Sequence, residues 1–485
     1  RKFLWAPLLR CFGIQRMSLF RNVMILSGAG VGGGSLVYAN TLMEPGDQFY
    51  KTGTWAGLKD WRKELAPHYA TAKRMLGVTP NPVMTFPDKI LKECAEEMGH
   101  GSSFKPTDVG VYFGQSGKTV PDPFFGGEGP DRTGCLLCGG CMVGCRYGAK
   151  NTLPKNYLWF AEKKGTVIVP ETTVRDIRPL PSGAGGDGTG YEIDAIKTTD
   201  WFFKSKRTIR ARSVVVSAGV LGTLKLLFRC KNVTGSLPKI SERLGYEIRT
   251  NSEALIGVTE PSPPDNRDYS EGVAITSIFH ADSHTSIEPV RYPRGSSLMK
   301  FMAVPMTDGG NPLVRPFMLL WNMVTSPIDT LRLMFNWGWA QKTVILLVMQ
   351  TLDNKMRFVF RRNALSPFRR GLDTASDDGS GAPNVPSYIP VGNEVARKFS
   401  RKVGGIPQSA INEVLFDIPT TAHILGGCPV AATERDGVVD EHHQVFGYPG
   451  LYVCDGSVIP ANLGVNPSLT ITAMTERAMS HVPKK

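Results

Sequence analysis

Near the C-terminal end the chain reads TTAHILGGCPVAATERDGVVDEHHQVFGYPGLYVCDGSVIPANLGVNPSLTITAMTER, from Thr420 to Arg477. His423, beside the Gly426-Gly427 pair, is of the residue type best suited to relay a proton near neutral pH; an isolated His is otherwise a satisfied structural residue. Asn466-Pro467-Ser468 marks a helix start with Pro467 at the first helical position, where its missing N–H costs nothing. The end of such a helix carries free N–H groups and partial positive charge, a seat for an anion; the alternative is an ordinary surface helix. Asp455-Gly456 closes the short apolar strand LYVCDG, either against a ligand or as a simple turn. Cys135, Cys138, Cys141 and Cys145 form C-x2-C-x2-C-x3-C. That spacing matches a ferredoxin run and could hold an iron–sulfur cluster. Zinc prefers two separated pairs, and disulfides would require an oxidising compartment.

The elements that must position these groups alternate between helical and strand patterns. Asn22 to Gly34, NVMILSGAGVGGG, is a short apolar strand running into glycines. Gly28, Gly30 and Gly33 fit G-x-G-x-x-G by letter. No second apolar strand with an acidic end follows, so the run reads as a glycine turn near a ligand rather than a complete dinucleotide fingerprint. Helical spacing spans Trp55–Leu76 and Pro87–Met98. Strands are expected at Val174–Leu180 and Tyr191–Thr198, joined by a flexible Pro181–Gly190 connection. Arg212–Cys230 reads as a buried strand, an Ala218-Gly219 turn and an amphipathic helix, as in a parallel α/β sheet. Asn251–Phe360 reads as a mixed or antiparallel sheet covered by apolar helices of Pro316–Trp339, and Gly371–Ser387 as a linker. The expected organisation is an α/β domain in two parts, 1–250 and 406–485, around a substrate domain at 251–405.

The chain has 485 residues, 41% of them hydrophobic, and a net charge of +13. The basic clusters Lys204–Arg212, Arg357–Arg362 and Arg397–Lys402 read as solvated faces, and no nucleic-acid-binding motif accompanies them. An anionic membrane surface or an acidic redox partner is a softer reading of the same charge. No window reaches the roughly 18 apolar residues of a spanning helix, which leaves the cytoplasm or a peripheral site on the cell envelope. The most apolar stretch, Pro316–Leu352, reads as core or as the lining of an apolar site.

Gly32-Gly33-Gly34-Ser35-Leu36-Val37, the AHILGGC block, LYVCDGSVIP and LGVNPSLTITAMTER occur in that order. Together with IEPVRYPRGSS and TLDN they resemble the glucose-methanol-choline (GMC) flavoprotein oxidoreductases, in their sterol-oxidising bacterial branch. The resemblance implies a Rossmann-like FAD-binding domain and a substrate domain on a large sheet. It further implies oxidation of a CH–OH group, on a sterol or another bulky apolar alcohol, by hydride transfer to FAD, with oxygen or another acceptor taking the electrons. His423 and Asn466 would meet the substrate oxygen. Glu288 would be the base that moves a double bond, unless it is an exposed surface acid. FAD would contact Gly32, Gly33, Gly34, Ser35, Tyr38, Asn40, Val174, Ala218, Gly219, Asp455, Gly456, Asn466, Pro467 and Ser468. Tyr38 departs from the family pattern, which has Asn there. The family's opening βαβ unit is also missing before Arg1, so the chain is expected to be N-terminally truncated. Two rival readings stand beside this one: a dehydrogenase exporting electrons through a cysteine-bound cluster, and a non-catalytic lipid-binding fragment.

Overall fold

A computed structural model describes residues 3–181, 190–363, 366–377, 381 and 383–483. In chain order the strands that matter for the site are β1 (Met24–Gly28), β2 (Lys105–Pro106), β3 (Val214–Val216), β4 (Ala254–Thr259), β5 (Ser277–His280) and β6 (Thr285–Val290). They continue with β7 (Ala303–Pro305), β8 (Thr343–Gln350), β9 (Ile406–Ala410), β10 (Thr420–Thr421) and β11 (Leu451–Val453). The helices are α1 (Trp61–Leu76), α2 (Phe86–Glu97), α3 (Gly219–Asn232), α4 (Arg315–Thr325), α5 (Pro327–Met334), α6 (Pro390–Val403), α7 (Ile411–Phe416) and α8 (Ser468–His481).

The mixed α/β class read from the sequence holds. β3 pairs in parallel with β11, and β10 in parallel with β1. The Val run of β3 feeds directly into α3, as its sequence predicts. Around them one large apolar core joins α1, α3, α8 and β11. Helix α8 is locked on α1 by Tyr69 Oη and Thr470 Oγ1 at 2.9 Å and by Arg477 Nε donating to Glu64 at 2.9 Å.

The second layer is a seven-stranded sheet in the order β7-β9-β4-β8-β6-β5-β2, antiparallel at every pairing. Strand alternation sorts its two faces. Ile256 and Val258 of β4, Ile287 of β6 and Leu346 and Val348 of β8 pack with α2 and α6 in a second core. The opposite face carries Glu253 just ahead of β4, Leu255 on it, Glu288 and Val290 on β6, and Ile345, Leu347 and Met349 on β8. Ala39, from the segment that follows the glycine loop, packs against this face.

Three expectations change. The sheet is covered by α2 and α6, not by the apolar helices of Pro316–Trp339, which lie at its edge on β7. The linker expected at Gly371–Ser387 begins as a strand, Ser366–Ser376, paired antiparallel with Met356–Asn363. The expected strands at 174–180 and 191–198 form, as Thr172–Pro179 and Tyr191–Lys197 with Lys206–Ala211 completing a three-stranded sheet, while residues 182–189 of the connection lie outside the described residues.

Candidate active site

His423 is placed by backbone geometry on both sides of it. After β10, Leu425 exchanges two backbone hydrogen bonds of 2.9 Å with Arg249. The approach is so close that a Cβ on Gly426 would stand 1.9 Å from the Glu247 carbonyl oxygen, and Gly426 has φ +79°. The glycine after the histidine is therefore a packing requirement. From Arg249 the partner strand turns through Asn251 and Ser252, both at positive φ, and delivers Glu253. Its buried carboxyl bonds His423 Nδ1 through one oxygen and accepts Ala422 N–H at 2.9 Å through the other. With Nδ1–H donating to the carboxylate, Nε2 is left free to accept a proton. Glu253 is the candidate site residue that sequence reasoning misses. Its one signal is an acid directly before an otherwise apolar strand.

Asn466 is held by the same turn. Asn251 Oδ1 accepts the N–H groups of Leu463 and Gly464, each at 2.9 Å, and its Nδ2 donates to Val465 O at 3.0 Å. Ser286 Oγ donates to Gly464 O. Ser286 and Glu288 share one face of β6, so the strand that fixes the loop also presents the acid. The helix itself starts at Ser468, with Pro467 at the capping position one residue before the expected site. Proline's fixed φ suits either place.

Glu288 is completely buried, which removes the surface alternative. Burial pushes its carboxyl up to about 8; the facing Asn466 lowers it in part and Glu253 adds to the rise. Asn466 faces Glu288 without a hydrogen bond of normal geometry, since both Glu288 oxygens and Asn466 Oδ1 lack partners. Asn40, at φ +62° and fully buried, has neither side-chain atom bonded. Buried polar atoms without partners are uncommon in a folded protein and mark a place where a ligand completes them. A second buried acid, Glu413 on α7, stands behind the site; burial raises it to about 8, while the Leu255 and Thr420 N–H groups and Arg315 pull it down.

The remaining cofactor candidates surround this point to different degrees. In the glycine loop, Gly30, Gly32 and Gly33 have positive φ, and a Cβ on Gly28 would lie 2.7 Å from Gly33 O. Ser35 Oγ donates to Gly32 O and accepts from Leu153 N–H, closing the turn. Tyr38 Oη donates to Asn151 O at 2.7 Å, so the side chain is occupied by the protein. Asp455 is buried, with Thr223, Ser457 Oγ and Ser457 N–H donating to it; it ties Gly456 to the first turn of α3, which starts at Ala218-Gly219. Val174 sits farther off, on the small sheet that packs on α3. Asn40, Asn466 and the free first-turn amides of α8 make the residues present fit the flavin part of FAD.

The four cysteines line one small cavity with Val111, Leu136 and Lys150. Among the described residues, however, no group of three or more His, Cys, Asp or Glu side chains is placed to hold a metal ion. The iron–sulfur expectation is therefore not supported. Cys135 Sγ accepts Leu137 N–H, and Cys138 is exposed. Burial disfavours ionisation of Cys145, but the N–H groups of Lys150, Tyr147, Gly148 and Ala149 outweigh it and lower the thiol's pKa.

The two-core α/β fold thus brings a His–Glu pair and an unpartnered acid to one apolar sheet face. Family profiles described as GMC oxidoreductase match residues 129–244 and 351–475. The chain is 48% identical over its whole length to a cholesterol oxidase of Mycobacterium tuberculosis, covering 83% of it, and 46% identical to a cholesterol oxidase of Acinetobacter baumannii, covering 86%. This chain belongs to the GMC oxidoreductases. A long-chain-alcohol oxidase of Arabidopsis thaliana is more distant, at 24% identity over 92% of this chain and 57% of its own. Among solved structures, pyridoxine 4-oxidase from Mesorbium loti shares the fold at a TM-score of 0.58 and 12% identity, covering 96% of this chain and 88% of its own. A fungal aryl-alcohol oxidase does so at 0.53 and 14%, with the same coverage.

Proposed function

We propose that this chain oxidises the secondary hydroxyl of a sterol or a similarly bulky apolar alcohol to the ketone. The observation that carries the reading is the meeting of the His423–Glu253 pair with Asn466 and Glu288 against the apolar face formed by Leu255, Val290, Ile345, Leu347 and Met349. Bound FAD would supply the acceptor for the hydride leaving the carbinol carbon, and oxygen the final acceptor, as the name of the relatives suggests. His423 accepts the hydroxyl proton at Nε2, and Glu253 holds the ring and stabilises the charge that develops. Asn466 fixes the substrate oxygen. The apolar face excludes water and takes the ring system.

Glu288 then has its own task. A carboxyl held near 8 is a weak acid by carboxylate standards and a serviceable base close to neutrality. In its deprotonated form it removes a proton from the carbon next to the new carbonyl and returns it two carbons away, bringing an isolated double bond into conjugation. Glu288→Gln is expected to release the unconjugated ketone at near-normal rate, which ultraviolet absorbance of the product distinguishes from the conjugated enone. Conjugated product from that variant at the unaltered rate would remove Glu288 from the mechanism. The division into 1–250, 251–405 and 406–485 is proposed on the same footing, with α2, β2 and β9, which lie outside 251–405, joining the second core and its sheet.

A further inference from the structure

Helices α4 and α5 do not hide their apolar faces. On α4, Phe317, Leu320, Trp321 and Val324 follow the i, i+3, i+4, i+7 spacing of a single stripe. That stripe points outward, with Phe317 72% and Trp321 68% exposed, while the buried side is only Arg315 and Leu319. On α5, Ile328, Leu331 and Phe335, just past its end, form a second exposed stripe, opposite buried Thr330 and Leu333. The helices pack on each other, and α5 packs on the 3-10 turn Ser297–Met302, whose Leu298 and Phe301 are exposed as well. Lys300 Nζ lies 5.3 Å from the Phe301 ring and 5.0 Å from that of Trp337, which is 78% exposed. The result is one continuous apolar surface on three short elements, far beyond scattered surface hydrophobics.

We infer that this surface docks on an anionic lipid bilayer. Its charge favours that occupant: the one acid on the two helices, Asp329, is paired with Arg332 at 3.5 Å, Lys300 sits on the patch itself, and the whole chain carries +13. A second copy would bring the same cations face to face. No helix among the described residues is long and apolar enough to cross a membrane, so α4 and α5 would lie in the headgroup region with Trp321 and Trp337 at its boundary. The surface also adjoins the site. Arg315, in the first turn of α4, donates to Glu413 O at 2.8 Å, and the Glu413 carboxyl accepts Thr420 N–H on the strand that leads to His423. In the proposed reaction, on which this last link alone rests, an apolar alcohol would pass from the bilayer to the apolar sheet face without crossing water.

The test is co-sedimentation of the full chain with sterol-free vesicles of phosphatidylcholine alone or mixed with phosphatidylglycerol. Binding to the mixed vesicles is expected, weakening with salt. Phe317→Ser/Trp321→Ser, two exposed positions, is expected to weaken the partition coefficient by about tenfold or more, given the apolar area withdrawn. Turnover of detergent-solubilised sterol by this variant should match the unsubstituted protein. Absence of vesicle binding, or equal binding by the variant, would overturn the inference. So would a dimer of the unsubstituted chain that the variant breaks without change in vesicle binding. Because binding is read without sterol, its failure condemns the docking surface alone; intact binding with no sterol turnover condemns the substrate reading alone.

Discussion

At the residue scale the site rests on two carboxyls with opposite environments. Glu253 is buried but fully engaged, by His423 and by Ala422 N–H, whereas Glu288 is buried and unpartnered. Replacing His423 with Ala is expected to lower turnover by roughly 10²–10⁴-fold, the usual worth of a positioned proton acceptor, while flavin absorbance is retained. Turnover at the unsubstituted rate would end its catalytic role. Glu288 also leaves a signature in stability. Its carboxyl is held above its unfolded value, at about 8. Below about pH 4 both states keep the proton; between there and about 8 only the folded state does. Stability therefore falls as pH rises through this window and levels off above it. Glu288→Gln should raise stability at pH above about 8 by roughly 2–4 kcal/mol and flatten the slope. Urea unfolding across pH measures it, and an unchanged slope would show that Glu288 is ionised in the fold.

At the element scale the site depends on turns that the core strands hold against each other. Asn251 bonds three consecutive residues ahead of Asn466, and Gly426 lets the histidine strand reach the 247–249 segment. Gly426→Ala combines a positive φ with a Cβ placed on a backbone oxygen. It is expected to cost roughly 1–3 kcal/mol, seen as a lower thermal midpoint with activity lost in parallel. An unchanged midpoint would mean that the strands can part at no cost. Much of this was legible in the sequence. The Val run into α3, the strand before Asp455 and the strand-rich middle all form, because each pattern is local. Glu253 was not legible, because its role arises from a bridge between Arg249 and Leu425, far apart in the chain. The exposure of α4 and α5 was not legible either: an apolar stripe has the same spacing whether it meets a core or faces outward.

At the scale of the whole molecule, the two cores meet where one face of the seven-stranded sheet closes on Ala39 and the glycine-loop side, and the proposed catalytic groups come from both. Neither half holds the chemistry alone. His423 and Asn466 arrive with the α/β core, Glu253 and Glu288 with the sheet. The central claim is that this junction oxidises a sterol through flavin, and it is tested most directly by mixing the FAD-loaded chain with cholesterol under anaerobic conditions while following the flavin's visible band. The account predicts that the band bleaches, and that it returns with formation of hydrogen peroxide when air is admitted. A band that stays unbleached, with the cofactor bound and sterol in excess, would contradict it.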